Sequence, residues 1–318
     1  MYLFESTGKK AAFINFHSLE YFTVLTREQN FTRAAQQLHI TQQTLSAHIA
    51  GLEKELGCAL FIRRTPLELT YAGRVFLRYA GRISSLEHTM RQELCDISQD
   101  QKGELRVGVA FTRGRAIMPR IIEHFQSQYP GVSIRLVEDS NNALQKLLLD
   151  DKLDLAIANF PDEVPGVELR ALYRESIVLC IAKSLLQRLG LNTESLRSQI
   201  QRRDLSALAA CPFVLGITGD IAGVVGRSIL RQSGVEPIVR AESENIETLL
   251  ELCQNGIGAC FTPDNLMHTA LSPAQLDKVE IFALSEQESY TIRVGWQKQN
   301  YSWSMIERFM EAAQSCLS

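Results

Sequence analysis

Residues 31–63 read FTRAAQQLHITQQTLSAHIAGLEKELGCALFIR, two helical patterns divided by a short break. Thr32 precedes Arg33, Ala34, Ala35 and Leu38, and Thr41 precedes a longer run in which Leu45, Ile49, Leu52 and Leu56 recur at helical spacing. Thr is favoured just ahead of a helix, so both threonines are expected caps. A connection of His39, Ile40 and Thr41 joins the two patterns, and the small Ala34 and Ala35 let neighbouring helices approach closely. These are the proportions of a helix-turn-helix. With Leu45, Ile49 and Leu52 turned inward, the helical step of about 100° per residue turns Gln42, Gln43, Ser46, Ala47 and Ala50 outward. Gln can pair with the N6/N7 edge of adenine, Ser donates or accepts, and Ala can pack on a thymine methyl, so this face suits base readout. A merely solvated polar face is the alternative reading.

Working outward from this segment, Leu19, Phe22 and Leu25 mark one apolar face of a preceding helix with Ser18 as its expected cap. Beyond it, Phe76, Tyr79, Ile83, Leu86, Met90, Leu94 and Ile97 step by three or four residues with no proline to interrupt them. A helix that long cannot bury its own stripe, and the spacing argues for pairing with a copy of itself. Packing against its own domain is the alternative. The polar run QDQKG, residues 99–103, reads as a domain boundary.

The same residues carry a family resemblance. Phe31, Ala34 and Ala35, the pair Leu45 and Ser46, the exit Leu52-Glu53-x-Glu55-Leu56-Gly57, the strand Leu60-Phe61-x-Arg63 and the entry Leu69-Thr70-x-Ala72-Gly73 resemble the winged helix-turn-helix of LysR-type transcriptional regulators. The resemblance implies base or phosphate contacts at Thr32, Arg33, Thr41, Gln42, Gln43 and Ser46, with Arg63 and Arg64 of the wing near backbone or minor groove. It also implies that the long helix is a dimerising linker, giving a homodimer or homotetramer that presents paired recognition helices to double-stranded DNA. Two departures stand out. Gln43 occupies a position where the family often has Pro, and Ala47 one where it often has Arg, which removes one basic contact. Residues 1–13 precede the usual family start and are expected to be a tail or an upstream start.

Charge patterning agrees with a phosphate-facing surface. The net charge is −3, yet residues 27–82 hold eight basic and four acidic side chains, a local +4 that leaves −7 elsewhere. Neutralising phosphates releases condensed counterions, although solvated basic faces are also common.

After residue 103, strand and helix patterns alternate. Strands are expected at 105–110, 133–137, 153–158, 177–182, 213–217, near Ile238, at 257–262 and at 292–296. Helices are expected at 117–129, with Pro119 in the first turn, at 142–150, after Asp220, at 245–255 and at 303–315. Repeated βα units imply a mostly parallel sheet covered by helices, and two such lobes suggest a cleft for a ligand. Residues 107–119, 125–132 and 255–263 are similar to the family's effector-binding region, which implies a periplasmic-binding-protein-like architecture. The expected organisation is α+α/β: an extension at 1–13, the winged helix-turn-helix at 14–73, the linker helix at 74–102 and the effector-binding domain at 103–318. Chain crossings near Ser176 and Leu284 would leave lobe I with 103–176 and 285–318, and lobe II with 177–284.

Thr112, Arg113, Gly114 and Arg115 fall where the first strand gives way to a helix. Free N–H groups, a hydroxyl and two guanidiniums make an anion site reasonable there. By family position Thr112 and Arg113 face the cleft, joined by Asn159, Phe160, Thr218, Gly219, Ile257 and Gly258. A small carboxylate-bearing or otherwise anionic effector is expected, with solvent-facing Arg113 and Arg115 as the alternative.

Other classes fit less well. There is no Walker sequence, no clean dinucleotide fingerprint among the glycines of 219–226 and no nucleophile elbow, so no enzyme and no cofactor are expected. A solute-binding protein would leave residues 14–100 without a role. The seven cysteines lack a C-x-x-C pair or zinc spacing, so reduced buried thiols and no metal are expected. A thiol redox sensor would need an exposed cysteine with a partner, and Cys211 has none nearby in sequence. No apolar run reaches the ~18 residues of a transmembrane helix, and no signal-peptide pattern follows Lys9 and Lys10, so a cytoplasmic protein without membrane contact is expected.

Overall fold

The computed structural model describes residues 15–98, 101–217, 220–284, 289–298 and 301–317. The expected extension at 1–13 and the candidate site residues Thr218 and Gly219 lie outside them. The chain divides into two compact units, the first ending at Leu94 and the second beginning at Cys95.

The first unit starts with α1 (Phe16–Glu28), α2 (Phe31–Gln37) and α3 (Gln42–Leu56), followed by the hairpin β1 (Phe61–Ile62) and β2 (Glu68–Leu69), and then by α4 (Tyr71–Ser98), whose end from Cys95 belongs to the second unit. Phe22, Leu25, Ala34, Ala35, Leu45, Ile49, Leu52, Leu60 and Phe61 form its buried core. Two expected caps are corrected. The Asn15 side chain, not that of Ser18, caps α1, and Asn30, not Thr32, caps α2. Asn30 Oδ1 accepts from the backbone N–H of both Thr32 and Arg33, which satisfies two helix-end donors with one carboxamide and draws Thr32 inside the helix. Thr41 caps α3 as its position suggested, accepting from Thr44 N–H. The turn runs over four residues, 38–41, with His39 in the left-handed region at φ 54°.

Gly73 is required where the hairpin meets α4. A Cβ there would stand 2.1 Å from the Leu60 carbonyl oxygen. Along α4 the sequence stripe divides. Phe76 packs on the core, its ring 4.7 Å from that of Phe22, while Tyr79, Ile83, Leu86, Met90, Leu94 and Ile97 are exposed.

The second unit contains β3 (Gly103–Ala110), α5 (Phe111–Gln128), β4 (Val132–Asp139), α6 (Asn141–Leu149), β5 (Leu155–Ala158), β6 (Val167–Ala182), α7 (Lys183–Leu189), α8 (Thr193–Gln201), β7 (Pro212–Gly216), α9 (Ile221–Gln232), β8 (Ile238–Ser243), α10 (Ile246–Gln254), β9 (Cys260–Pro263), α11 (Asp264–Ala270), α12 (Pro273–Leu276), β10 (Val279–Ala283), β11 (Ser289–Gln297) and α13 (Ser304–Leu317). Strand β6 serves two lobes. Its first part, up to Ser176, pairs with β11, and its last part, from Ile177, pairs with β9 and β10. The returning chain changes lobes at the same level, because β10 ends opposite Val178 and β11 begins opposite Ser176.

Pairing is more mixed than the βα pattern suggests. β3 is parallel to β4 and β5, and β7 to β8, whereas every pairing of β6 and β11 is antiparallel. The long β6 and the returning β11 supply the antiparallel partners that a chain of simple crossovers would lack. Two element boundaries also move. α5 begins at Phe111, so Pro119 is its ninth residue and not part of its first turn. The missing N–H falls on the exposed side of the helix, where water can serve the carbonyl left without a donor. β9 begins at Cys260, which leaves Ile257 and Gly258 in the approach to the strand.

One lobe buries Val107, Val109, Ile121, Phe125, Leu155, Val294, Trp303 and Phe309, with α13 packed on α5. Leu179, Ile181, Phe213, Leu215, Ile229, Phe261 and Phe282 lie in the core of the other. A third cluster, containing Val178, Val214, Leu249, Leu250 and Met267, lies under α10 and α11.

Candidate nucleic-acid interface and ligand cleft

In the first unit, burial of Leu45, Ile49 and Leu52 fixes which side of α3 meets solvent. Thr41, Gln42 and Gln43 are exposed, as are Ala47, His48 and Ala50, while Ser46 is half-buried beside them. Thr32 and Arg33 are exposed on α2, where the Arg33 guanidinium donates to the Glu28 carbonyl at 3.1 Å. The wing is anchored to the recognition helix through Glu53. Its Oε1 accepts from the Leu60 and Phe61 N–H groups at 2.8 and 3.1 Å, and Oε2 accepts from Arg63 at 3.2 Å. Arg64 pairs with Glu68. Both wing arginines remain exposed, so a phosphate can compete for their donors.

In the second unit, a cavity of about 290 Å³ opens between the lobes. Ala110, Phe111, Arg113, Asp139, Ser140, Asn141, Asn142 and Tyr290 line one side, and Ile217, Asp220, Ile221, Glu244, Ile246 and Pro263 the other. The N-terminal ends of α5, α6, α9 and α10 therefore all reach it. Ser140 caps α6 and Asp220 caps α9, each with a side-chain oxygen on a helix N–H. Burial raises the Asp220 carboxyl above its ordinary value, against the lowering effect of the Gly223 and Ala222 N–H groups.

Arg113 lines the cavity, but its guanidinium is already committed. It is 3% exposed and donates to Glu175, which is 0% exposed, through Nε at 3.0 Å and Nη2 at 2.6 Å. Tyr173 donates to the same carboxylate at 2.7 Å and Asn265 at 3.2 Å. The Tyr290 hydroxyl donates to Oε2 and accepts from Arg113 at 3.1 Å. Burial would raise the Glu175 carboxyl, but Arg113 and the tyrosine hydroxyls outweigh it and hold the group below the ordinary carboxylate value. The tyrosines are pushed the other way, first by burial and then by the adjacent carboxylate. Glu175 lies at the end of the β11-paired part of β6, Tyr290 on β11 and Asn265 on α11, so the cluster pins the strand where it passes between lobes.

The expected pair of guanidiniums awaiting an anion is thus not what the fold presents. Arg115 also pairs, with Glu247 at 2.8 Å. Asn159, Phe160, Ile257 and Gly258 are not among the cavity-lining residues. Asn159 contributes through its backbone, donating to Asn141 Oδ1 at 2.9 Å, and Phe160 is buried in a cluster with Leu144 and Leu148. Gly258 presses on the Phe213 backbone, where a Cβ would come within 2.8 Å. For Thr112 only the backbone position, in the first turn of α5, is described. Glu175, Tyr173, Tyr290 and Asn265 were not expected, and the one sequence signal for them is a lone Glu at the head of the apolar run 177–182.

The bacterial regulatory helix-turn-helix, lysR family, matches residues 16–74, and the LysR substrate binding domain matches residues 98–317. The chain belongs to the LysR family. As a LysR-type transcriptional regulator it combines a DNA-binding helix-turn-helix with a substrate-binding domain. It is 27% identical over 308 residues to the uncharacterized HTH-type transcriptional regulator YcgK of Bacillus subtilis, covering 94% of each chain. It is 30% identical over 250 residues to a probable RuBisCO transcriptional regulator of Porphyra purpurea, covering 76% of each. Among solved structures, full-length CbnR complexed with target DNA matches with a TM-score of 0.66 at 22% identity, over 95% of this chain and 100% of that one. A cysteine variant of full-length OxyR from Pseudomonas aeruginosa matches at 0.68 and 22% identity, over 96% of each. These two likenesses concern the fold. Among the described residues no helix is long and apolar enough to cross a membrane.

Proposed function

We propose that this LysR-type regulator reads DNA through Gln42, Gln43 and Ser46 of α3, assisted by Thr32, Arg33, Thr41, Arg63 and Arg64, and that a small effector in the interlobe cavity modulates that activity. The observation that carries the DNA reading is the division of α3 into a buried Leu45, Ile49 and Leu52 face and an exposed polar one. No catalytic step is assigned. The exposed stripe on α4, Tyr79 to Ile97, supports pairing with a second copy of the chain, since an unpaired apolar ridge of this length is costly in water. Pairing doubles the recognition helices offered to a pseudo-palindromic site.

The proposed effector is small, polar and carries one acidic group. With Arg113 committed to Glu175 and Arg115 not among the cavity-lining residues, the acidic group has the N-terminus of α6 and the side chains of Ser140, Asn141 and Asn142 as its partners. Asp139, Asp220 and Glu244 favour hydrogen-bond donors on the rest of the molecule and disfavour a multiply charged anion. Fluorescence anisotropy with duplexes from upstream of its own and the adjacent gene tests the reading. Affinity should fall steeply with salt, and Gln42→Ala with Ser46→Ala should narrow the difference between specific and unrelated sequences. Equal affinity of the native protein for all duplexes would refute sequence-specific reading.

A further inference from the structure

Three cysteines far apart in sequence meet inside the second lobe. Cys180 on β6 and Cys260 on β9 are direct cross-strand partners, so their side chains share one face of the sheet. Cys253 comes down from α10 onto that face, its thiol 3.1 Å from the Cys180 carbonyl oxygen. All three sulfurs lie within 4.8 Å of one another, and all three residues are 0% exposed. Around them are Val178, Val214, Leu249, Leu250 and Met267. Hydrogen bonds from Cys253 and Cys260 lower the Cys180 thiol to about 5, while those same bonds and burial push Cys253 and Cys260 well above the ordinary range, so the three titrate as one unit.

We propose that Cys180, Cys253 and Cys260 form a binding site for a trivalent thiophilic metalloid, arsenic(III), separate from the interlobe cavity. Geometry and charge both select this class. Three sulfurs on one pyramidal centre at bond lengths of roughly 2.3 Å stand about 3.5 Å apart, so three thiols already gathered within 4.8 Å of one another close onto such a centre by side-chain rotation and a contraction of the cluster. Soft thiol ligands select soft centres. A divalent ion held by three thiolates would bury a net negative charge within an apolar cluster, which is strongly disfavoured. A trivalent centre gives a neutral complex. Arsenous acid, As(OH)3, enters uncharged; three As–O bonds break and three As–S bonds form. Each thiol proton leaves with a hydroxide as water, and no oxidation state changes. Because the site is closed to solvent, uptake depends on local opening of α10 and is slow.

Site and cavity share their supporting elements. α10 begins at Ile246 and β9 ends at Pro263, both lining the cavity, so tying Cys253 to the two strands fixes the elements beneath one cavity wall.

The test incubates the reduced full-length protein with sodium arsenite or zinc chloride, after its exposed thiols are alkylated under native conditions, and then removes free ion. The expected result is one arsenic per chain, an intact mass raised by one arsenic less three hydrogens, three sulfur neighbours in X-ray absorption and at least tenfold weaker zinc retention. The triple variant Cys180→Ala, Cys253→Ala, Cys260→Ala should retain no arsenic. Absence of arsenic on the folded native chain, an arsenic held by fewer than three sulfurs, or zinc retained more tightly than arsenic would each overturn the proposal. The mass and absorption readouts use the native protein and do not depend on the variant folding.

Discussion

Replacing Glu175 with Gln keeps the shape of the side chain and removes its charge, leaving the Arg113 guanidinium buried without a counter-ion. Breaking a buried ion pair from one side costs about 3–5 kcal/mol, because the remaining charge keeps its desolvation penalty. For a domain of about 150–250 residues, each kcal/mol shifts the melting temperature by roughly 2–4 °C, so Glu175→Gln should lower that of the second unit by roughly 6–20 °C. Tryptophan fluorescence isolates this unit, since both tryptophans of the chain, Trp296 and Trp303, are in its buried core. The double variant Arg113→Gln, Glu175→Gln should be less destabilised than the sum of the single variants, because the stranded charge goes too. The effect also depends on pH. The folded-state pKa of Glu175 is depressed, so its contribution is present above the unfolded carboxyl value and is lost as pH falls through the folded value. The gap between native and Glu175→Gln proteins should therefore close in acid. A shift below about 2 °C at neutral pH, or strictly additive single variants, would refute the ion-pair account.

Other outcomes follow from the first unit. Arg63→Ala with Arg64→Ala should weaken binding to every duplex and reduce the magnitude of the log affinity against log salt slope by about 2, read by anisotropy across a salt series. Leu86→Glu with Leu94→Glu places charges in the exposed α4 stripe and should lower the mass found by sedimentation equilibrium. Gly73→Ala drives a methyl into the Leu60 carbonyl and should destabilise the first unit by about 1–3 kcal/mol, seen in the far-ultraviolet dichroism melt.

The helix-turn-helix was legible because its information is local. Leu45, Ile49 and Leu52 repeat at helical spacing, Ala34 and Ala35 announce close packing, and Thr41 sits at the cap. The caps at Asn15 and Asn30 were missed because Ser18 and Thr32 are equally good capping types, and the choice depends on where the chain turns. In the second unit, the apolar run 177–182 was readable as a strand, whereas α7, α8, α11 and α12 were not, being short and flanking stronger patterns. Much of the buried side-chain chemistry of the second unit escaped as well. Arg113 and Glu175 are separated by 62 positions, and Cys180 is 73 from Cys253. Such pairings are set by how α5 and α10 pack on β6, which no local period encodes.

The sixteen residues of β6 give the second unit an unusual mechanical character. Since one ribbon is hydrogen-bonded to β11 in one lobe and to β9 and β10 in the other, relative rotation of the lobes has to wind or unwind it like a torsion bar. Any closure around a guest is therefore spring-loaded and returns when the guest departs, with Glu175 clamped where the bar is gripped.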